Sequence, residues 1–105
     1  MPNQPLYRDP SGQLWVLAHA GWQIGRTKVG WIRPDGSTLT IQGQRLDGAA
    51  PSLEVDIPNQ YYPGPIEPTY MIFPKTGCWQ IEAHASDAVL RFVVSVPRLS
   101  VPGYD

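Results

Sequence analysis

Apolar and polar side chains alternate with a period of two in several short stretches of the chain, as in strands that bury one face. The clearest stretches are residues 38–43, 53–57, 78–85 and 89–96. In the third of these, Trp79, Ile81 and Ala83 fall on one face, whereas Cys78 and His84 fall on the other. The pattern therefore predicts strands that each have an inward and an outward side.

Three further short strands are predicted at residues 13–20, 28–33 and 69–73, which are apolar stretches between turn residues. Residues 34–37, Pro-Asp-Gly-Ser, predict a tight turn, because proline presets φ and glycine accepts a positive φ. Ser86-Asp87 predicts the turn of a hairpin. The proline-rich residues 58–68 predict a crossover that connects two sheets.

Seven short strands with turn signals, and no amphipathic helix, indicate an all-β sandwich or barrel. Residues 69–96 favour the sandwich, because the aromatic Trp79 follows the turn glycine Gly77 at the start of a strand, as in the E–F–G strands of immunoglobulin-like domains. We therefore predict an immunoglobulin-like β-sandwich of about seven antiparallel strands. The predicted domain spans residues 13–97, with an extended arm at 1–12 and a tail at 98–105.

Length and composition fit one domain with many turns. The chain has 105 residues, 42% of them hydrophobic, with twelve prolines and ten glycines. Eight basic and nine acidic side chains give a net charge of −1, and the basic ones are scattered, which argues against nucleic acid as a partner. No apolar run approaches the ~20 residues of a membrane-spanning helix. The single cysteine, Cys78, excludes an internal disulfide.

Three segments together carry a resemblance to a known family: Gly43 to Pro51 (GQRLDGAAP), Phe73 to Ile81 (FPKTGCWQI) and Phe92 to Val96 (FVVSV). Over residues 28–96 or so the chain resembles a family of small, uncharacterised bacterial proteins with an immunoglobulin-like domain, which are often exported or lipid-anchored. The resemblance implies an extracytoplasmic location, with a lipid anchor upstream in the natural precursor. It implies no activity and no catalytic residue.

Trp79 is predicted to pack inward while its ring N–H donates to a backbone carbonyl, in the place of the corner tyrosine of immunoglobulin-like domains. Cys78, on the opposite face, is predicted to be a small apolar side chain beneath a neighbouring element. Along one strand, Cys78 and His84 lie ~20 Å apart at ~3.3 Å per residue, which excludes a nucleophilic pair made of these two.

No catalytic motif is present, and the carboxylates are predicted to be solvated surface groups rather than an acid–base pair. These carboxylates are Asp47, Glu54, Asp56, Glu67, Glu82 and Asp87. We therefore predict that the protein is not an enzyme and takes no cofactor. Metal or copper handling stays an alternative, since His19, His84, Cys78 and Met71 are soft ligands, although their spacing does not match a blue-copper site.

The best candidate for partner binding is the loop from Asn59 to Ile66, in which we predict Tyr61, Tyr62, Pro63 and Pro65 to make the contacts. Tyrosines offer rigid amphipathic area, and prolines reduce the entropy lost on docking. The alternative is a crossover packed on its own sheet edge, with the tyrosines shielding apolar surface. Because three further tryptophans exceed the needs of one small core, we also expect at least one of Trp15, Trp22 and Trp31 to be exposed.

These observations predict a non-catalytic extracytoplasmic binding module for a protein or glycan partner. A small proteinaceous peptidase inhibitor is the first alternative, because rigid loops such as 58–68 or 34–37 would enter a protease cleft. A copper-handling domain is the second.

Overall fold

The computed structural model describes residues 6–17 and 22–97. Within these residues the protein is all-β, with eight antiparallel strands in two sheets and no helix. The described residues accordingly contain no helix long and apolar enough to cross a membrane. The all-β class predicted from the alternation is confirmed.

The strands are, in chain order, β1 (Leu6–Arg8), β2 (Trp15–Leu17), β3 (Gly25–Ile32), β4 (Leu39–Arg45), β5 (Glu54–Asp56), β6 (Glu67–Phe73), β7 (Gly77–Ala85) and β8 (Ala88–Val96). The first sheet has the order β1-β2-β3-β6-β5, and the second has the order β4-β7-β8. The chain changes sheet after β3, after β4 and after β6. Residues 6–8, which we predicted as part of an extended arm, form β1 and pair with β2. Residues 1–5 and the predicted tail lie outside the described residues.

The two sheets share one core. Phe73 of the first sheet packs edge-on against Trp79 of the second, with ring centroids 5.5 Å apart. Phe92 of β8 stacks on Tyr7 of β1 at 4.7 Å and lies 6.4 Å from Trp31 of β3. Aromatic pairs of this kind stabilise the fold beyond the contribution of the apolar area that they bury. The largest fully buried aliphatic side chains are Leu14, Leu39, Met71, Ile81, Val16, Val29 and Val96.

The strands β7 and β8 carry the predicted alternation along their whole length. In β8, Leu90, Phe92 and Val94 are buried, whereas Arg91 and Val93 are exposed. The two strands form a hairpin in which Ala85 pairs with Ala88, so Ser86 and Asp87 make the turn as predicted. Ser86 has a φ of 56°, a left-handed conformation that a short hairpin turn requires.

The corner between β6 and β7 confirms the prediction for Trp79. The side chain is fully buried, and its Nε1 donates to the carbonyl of Lys75 at 2.9 Å. Gly77 has a φ of 125°, and a Cβ added there would lie 2.5 Å from Oδ1 of Asp47. Arg45, the last residue of β4, donates to the carbonyl of Thr76 at 2.8 Å, so the end of β4 holds the corner from outside.

The connection between β5 and β6 differs from its prediction. We expected residues 58–68 to cross between sheets, but β5 and β6 are antiparallel neighbours in the first sheet. The loop instead reaches from the first sheet to the edge strand β4 of the second sheet and returns, which explains its length.

The expectation of an exposed tryptophan is wrong. Trp22 and Trp31 are buried, and Trp15 is half-buried with its ring beneath the guanidinium of Arg8, 5.4 Å away. The core accommodates three indoles because Trp22 fills the space beside Phe73 and Phe92, at centroid distances of 6.0 and 5.9 Å.

Candidate functional site

The loop between β5 and β6 is anchored at the edge of the second sheet by the side chain of Gln60. The backbone N–H of Leu39 donates to Oε1 of Gln60 at 2.7 Å, and Nε2 of Gln60 donates to the Leu39 carbonyl at 3.0 Å. The amide thus replaces a neighbouring strand for one residue of β4. Groups on an edge strand otherwise face solvent, and this contact satisfies two of them.

Further contacts fix the loop on both sides of Gln60. The N–H of Tyr61 donates to Oδ1 of Asn59 at 3.2 Å, and the N–H of Tyr62 donates to the Asn59 carbonyl at 3.1 Å, which together form a tight turn. At the far end, Cγ2 of Ile66 lies 2.6 Å from the place that a Cβ on Gly30 would take. The close approach of Ile66 to the first sheet therefore requires the glycine at this position.

The predicted binding residues lie together on the surface of this anchored loop. Tyr61 and Tyr62 expose 64% and 42% of their area, and Pro63 and Pro65 are exposed beside them. The alternative interpretation expected the loop to pack on the edge of its own sheet, but its contact is made by the side chain of Gln60 with the other sheet, and the tyrosine rings are exposed. The structure brings the four residues together along one depression of the surface.

Two depressions lie on either side of Tyr62. The first, here called the loop groove, has a volume of about 340 Å³ and lies between the 34–37 turn and the tyrosine loop. Its walls are Arg33, Asp35, Gly36, Tyr61, Tyr62, Pro63, Gly64, Pro65 and Glu67. The second, here called the sheet groove, has a volume of about 710 Å³ on the outer face of the first sheet. Its walls are Gln23, Arg26, Thr27, Lys28, Gly30, Tyr62, Ile66 and Pro68.

The turn that forms one wall of the loop groove is the one predicted at residues 34–37. The N–H of Ser37 donates to the carbonyl of Pro34 at 3.1 Å, and Gly36 has a φ of 75°. The geometry places the exposed carboxylate of Asp35 at the rim of the groove.

A buried ion pair lies against the loop groove. Nε and NH2 of Arg33 donate to Oε1 of Glu67 at 3.4 and 3.1 Å, and the two side chains are 9% and 1% exposed. Arg33 also donates to the carbonyls of Gln60 and Pro34 at 3.0 and 3.3 Å. The ion pair therefore joins β6 to both loops that wall the groove.

The prediction that Glu67 is a solvated surface group is wrong. Glu67 faces inward because it continues the alternation of Thr69, Met71 and Phe73 backwards along β6. The alternation is present in the sequence, but the nearby prolines Pro65 and Pro68 favour a loop there. The partner Arg33 is 34 residues away in the chain, a separation across which sequence spacing predicts no contact.

The outer face of the second sheet carries a separate polar cluster centred on Glu82. Its carboxylate contacts Nε2 of His84 and accepts from Nε of Arg91, both at 2.6 Å, and Gln42 donates to it at 3.4 Å. The hydrogen bonds from His84 and Arg91 lower the pKa of Glu82 to about 2. A carboxyl group with this pKa stays ionised at neutral pH and cannot donate a proton there.

The prediction for Cys78 is wrong, because its side chain is exposed. Cys78 lies on the outward face of β7, and within the described residues no element covers it. Its backbone N–H donates to Oδ1 of Asp47 at 3.1 Å. Residues 78 and 84 both belong to the regular strand β7, as the exclusion of a Cys78–His84 pair assumed. His19 lies outside the described residues.

Asp9 is a buried carboxylate that the sequence did not single out. Burial opposes its ionisation, but the Ser11 hydroxyl and the backbone N–H groups of Leu14, Ser11 and Gln13 donate to it and lower its pKa to about 2. The carboxylate thereby closes the turn between β1 and β2, which is a structural role.

Among the residues that the structure describes, no group of three or more His, Cys, Asp or Glu side chains is arranged to hold a metal ion. Neither family models nor curated proteins nor solved structures give a match to this chain.

Proposed function

We propose that this protein is a non-catalytic binding module, built on an immunoglobulin-like sandwich and acting outside the cytoplasm. Its binding surface is the tyrosine loop, residues 59–66, together with the grooves on either side of Tyr62. The partner is a protein or a glycan.

The strand order supports the immunoglobulin-like assignment. In that fold, strands A, B, E and D form one sheet and C, F and G form the other. Here β2-β3-β6-β5 and β4-β7-β8 follow the same two orders, with β1 added as an extra edge strand beside β2. Trp79 at the start of β7 occupies the place of the corner aromatic, with its indole donating back to Lys75. The proposed extracytoplasmic location is supported by the family resemblance.

One observation carries the binding function: Tyr61 and Tyr62 are exposed on a loop whose backbone is fixed by Gln60 and Asn59. A loop that is already ordered loses little conformational entropy when a partner docks. Exposed tyrosines on such a loop supply large contact area with few rotatable bonds.

The remaining polar groups support a non-catalytic role. Glu82 is held ionised by His84 and Arg91, and Cys78 is six residues from His84 on the same strand. A nucleophile and its base need to lie within hydrogen-bond distance of each other. Six residues along an extended strand separate Cys78 from His84 by far more than that distance.

The test is a screen followed by a matched comparison of variants. A random-peptide display library and a glycan array are screened with the wild-type protein, and the Kd of each ligand found is measured on wild type and on Tyr61→Ala/Tyr62→Ala. We expect the double variant to bind at least about tenfold more weakly, as loss of aromatic contacts does at protein interfaces. We expect its melting temperature to stay close to that of wild type, because the side chains removed are exposed.

Val93→Ser is the matched control, since Val93 is 54% exposed on the outer face of β8, on the other sheet. It should bind like wild type. A ligand that binds the double variant and wild type equally would place the binding surface elsewhere. A double variant that unfolds would show that the loop is structural, which would also refute the proposal.

Peptidase inhibition is a second candidate, favoured by the anchoring of the loop through Gln60 and the protrusion of Tyr61. Protease inhibitors insert a rigid exposed loop into the protease cleft, and the backbone of that loop changes little on binding. Purified protein at micromolar concentration, assayed against a panel of proteases, tests it. Inhibition lost in the double tyrosine variant would support this candidate, and absence of inhibition would discard it.

A further inference from the structure

The loop groove has one carboxylate oxygen whose hydrogen-bonding capacity is unused. Oε1 of Glu67 accepts twice from Arg33, but Oε2 is buried and has no hydrogen-bond partner among the described residues. A buried carboxylate oxygen without a donor is unfavourable, and such groups in native structures call for a specific explanation. Glu67 is part of the groove wall, so its ionisable carboxyl group lies directly behind the groove, and a donor would reach Oε2 only by displacing the side chains that cover it.

Arg33 does not offer the groove a free cation. Its guanidinium donates to Glu67 and to the carbonyls of Gln60 and Pro34, so it is engaged by groups of the protein itself. Anion binding through Arg33 would break these contacts. The groove therefore has a free acceptor rather than a free donor.

The other walls favour a positive charge. Asp35 is an exposed carboxylate on the turn and makes no ion pair within the part of the chain that the structure describes. With Arg33, Glu67 and Asp35, the groove has one positive and two negative side chains, a net charge of −1. Tyr61 and Tyr62 also line the groove, and aromatic rings attract cations.

We infer that the loop groove binds the side chain of an arginine or lysine presented by a protein partner. Glu67 and Asp35 supply the acceptors, and Tyr61 and Tyr62 pack on the aliphatic stem and the cationic head. The inference rests on the proposed function, since it specifies the partner of the same surface.

The test uses three short peptides, acetyl-Gly-X-Gly-amide, in which X is arginine, lysine or the neutral arginine analogue citrulline. Each is titrated into the ¹⁵N-labelled protein while backbone amide shifts are recorded. The arginine and lysine peptides should shift the amides of residues 33–37 and 59–67 in a saturable way. Citrulline should bind about tenfold more weakly, the usual effect of removing charge from a hydrogen bond. Added salt should weaken the two cationic peptides alone.

Glu67→Gln keeps the shape of the side chain and an oxygen for Arg33, and should weaken arginine-peptide binding about tenfold. Because a change in a buried ion pair can unfold a domain, Asp35→Asn provides the second variant. Asp35 is exposed, so the variant should fold normally and weaken binding by about threefold, the smaller effect of a solvated charge. Asp87→Asn, an exposed carboxylate in the β7–β8 turn, should bind like wild type.

Saturable shifts that do not distinguish citrulline from arginine would overturn the inference, and so would an absence of shifts in the loop groove. Either result would mean that the loop groove does not select a cationic side chain. The two proposals fail separately. A screened ligand that lacks a cationic group but depends on the tyrosines would overturn this inference and leave the proposed function standing. A ligand that ignores the tyrosine variant would overturn the proposed function itself.

Discussion

The side chain of Gln60 forms two hydrogen bonds with the backbone of Leu39, one with its N–H at 2.7 Å and one with its carbonyl at 3.0 Å. An amide side chain from one loop thereby completes the edge of a strand in the other sheet. This contact explains how the ten residues between β5 and β6, 57–66, hold one position beside the edge strand β4. It also orients the tyrosines that follow Gln60.

Replacing Gln60 tests this anchor. Gln60→Ala removes both hydrogen bonds, each worth about 1 kcal/mol net, so the free energy of unfolding should fall by about 1–2 kcal/mol. The amide of Leu39 should exchange with deuterium faster than in wild type. Gln44→Ala is the control, because Gln44 is an exposed residue on β4, the strand that contains Leu39. Unchanged exchange at Leu39 in Gln60→Ala would contradict the anchoring role.

Two indoles allow a matched test of the corner at β7. Nε1 of Trp79 donates to Lys75, and Nε1 of Trp15 donates to the carbonyl of Gly12 at 2.7 Å, but only Trp79 is fully buried. Trp79→Phe leaves the Lys75 carbonyl without its donor and should cost about 1–3 kcal/mol. Trp15→Phe should cost less, because water can replace the donor at a half-buried site. Urea unfolding measures both variants. Equal decreases in the free energy of unfolding for Trp79→Phe and Trp15→Phe would show that burial does not strengthen the contribution of the Trp79 hydrogen bond.

Much of the fold could be predicted because alternation is a local property. The inward positions Ile81 and Ala83 of β7, and Phe92 and Val94 of β8, follow from the period of two alone. The hydrogen bond of Trp79 was predictable because its acceptor is four residues away. The turn at 34–37 was predictable from proline and glycine.

The predictions that were wrong concern features that depend on contacts between residues far apart in the chain. The burial of Glu67 needs Arg33, and the path of the loop needs Gln60 to meet Leu39 across 21 residues. Neither pair is marked by spacing. The prediction for Cys78 failed for another reason. A small side chain on the outward face of a strand is buried only if another element packs over it, and the local sequence does not show whether one does. For Tyr61 and Tyr62 the sequence leaves two interpretations open, because their exposure depends on the contacts of Gln60 with the other sheet.

Acid should destabilise the protein through Asp9 and Glu82. Both have a pKa of about 2 in the folded state, below the ordinary values of 3.8 and 4.5. Their contribution is present above the ordinary values and is lost as the pH falls towards about 2, because the unfolded state binds protons first. Asp9→Asn and Glu82→Gln should each flatten the dependence of stability on pH between about pH 4.5 and 2.

The measurement is urea unfolding at a series of pH values. Trp79→Phe serves as the control, since it lowers stability without removing a carboxylate and should keep the wild-type slope. An Asp9→Asn protein with the wild-type slope would show that hydrogen bonding to Asp9 does not favour its ionised form.

The thiol of Cys78 should react in the native state. Because the side chain is exposed on β7, an aromatic disulfide reagent should label one thiol per molecule without denaturant. Cys78→Ser should change the free energy of unfolding by less than about 0.5 kcal/mol, as surface substitutions do. Labelling that requires denaturant would contradict the outward position of this residue.

The most direct measurement is a two-dimensional ¹H–¹⁵N NMR titration of the wild-type protein with the tightest ligand found by peptide display or on the glycan array. A binding surface at the tyrosine loop predicts shifts that saturate together and cluster at the amides of Tyr61, Tyr62 and Ile66 and of the facing turn at residues 34–37. Shifts confined to the outer face of β4, β7 and β8, with the tyrosine loop unchanged, would contradict it.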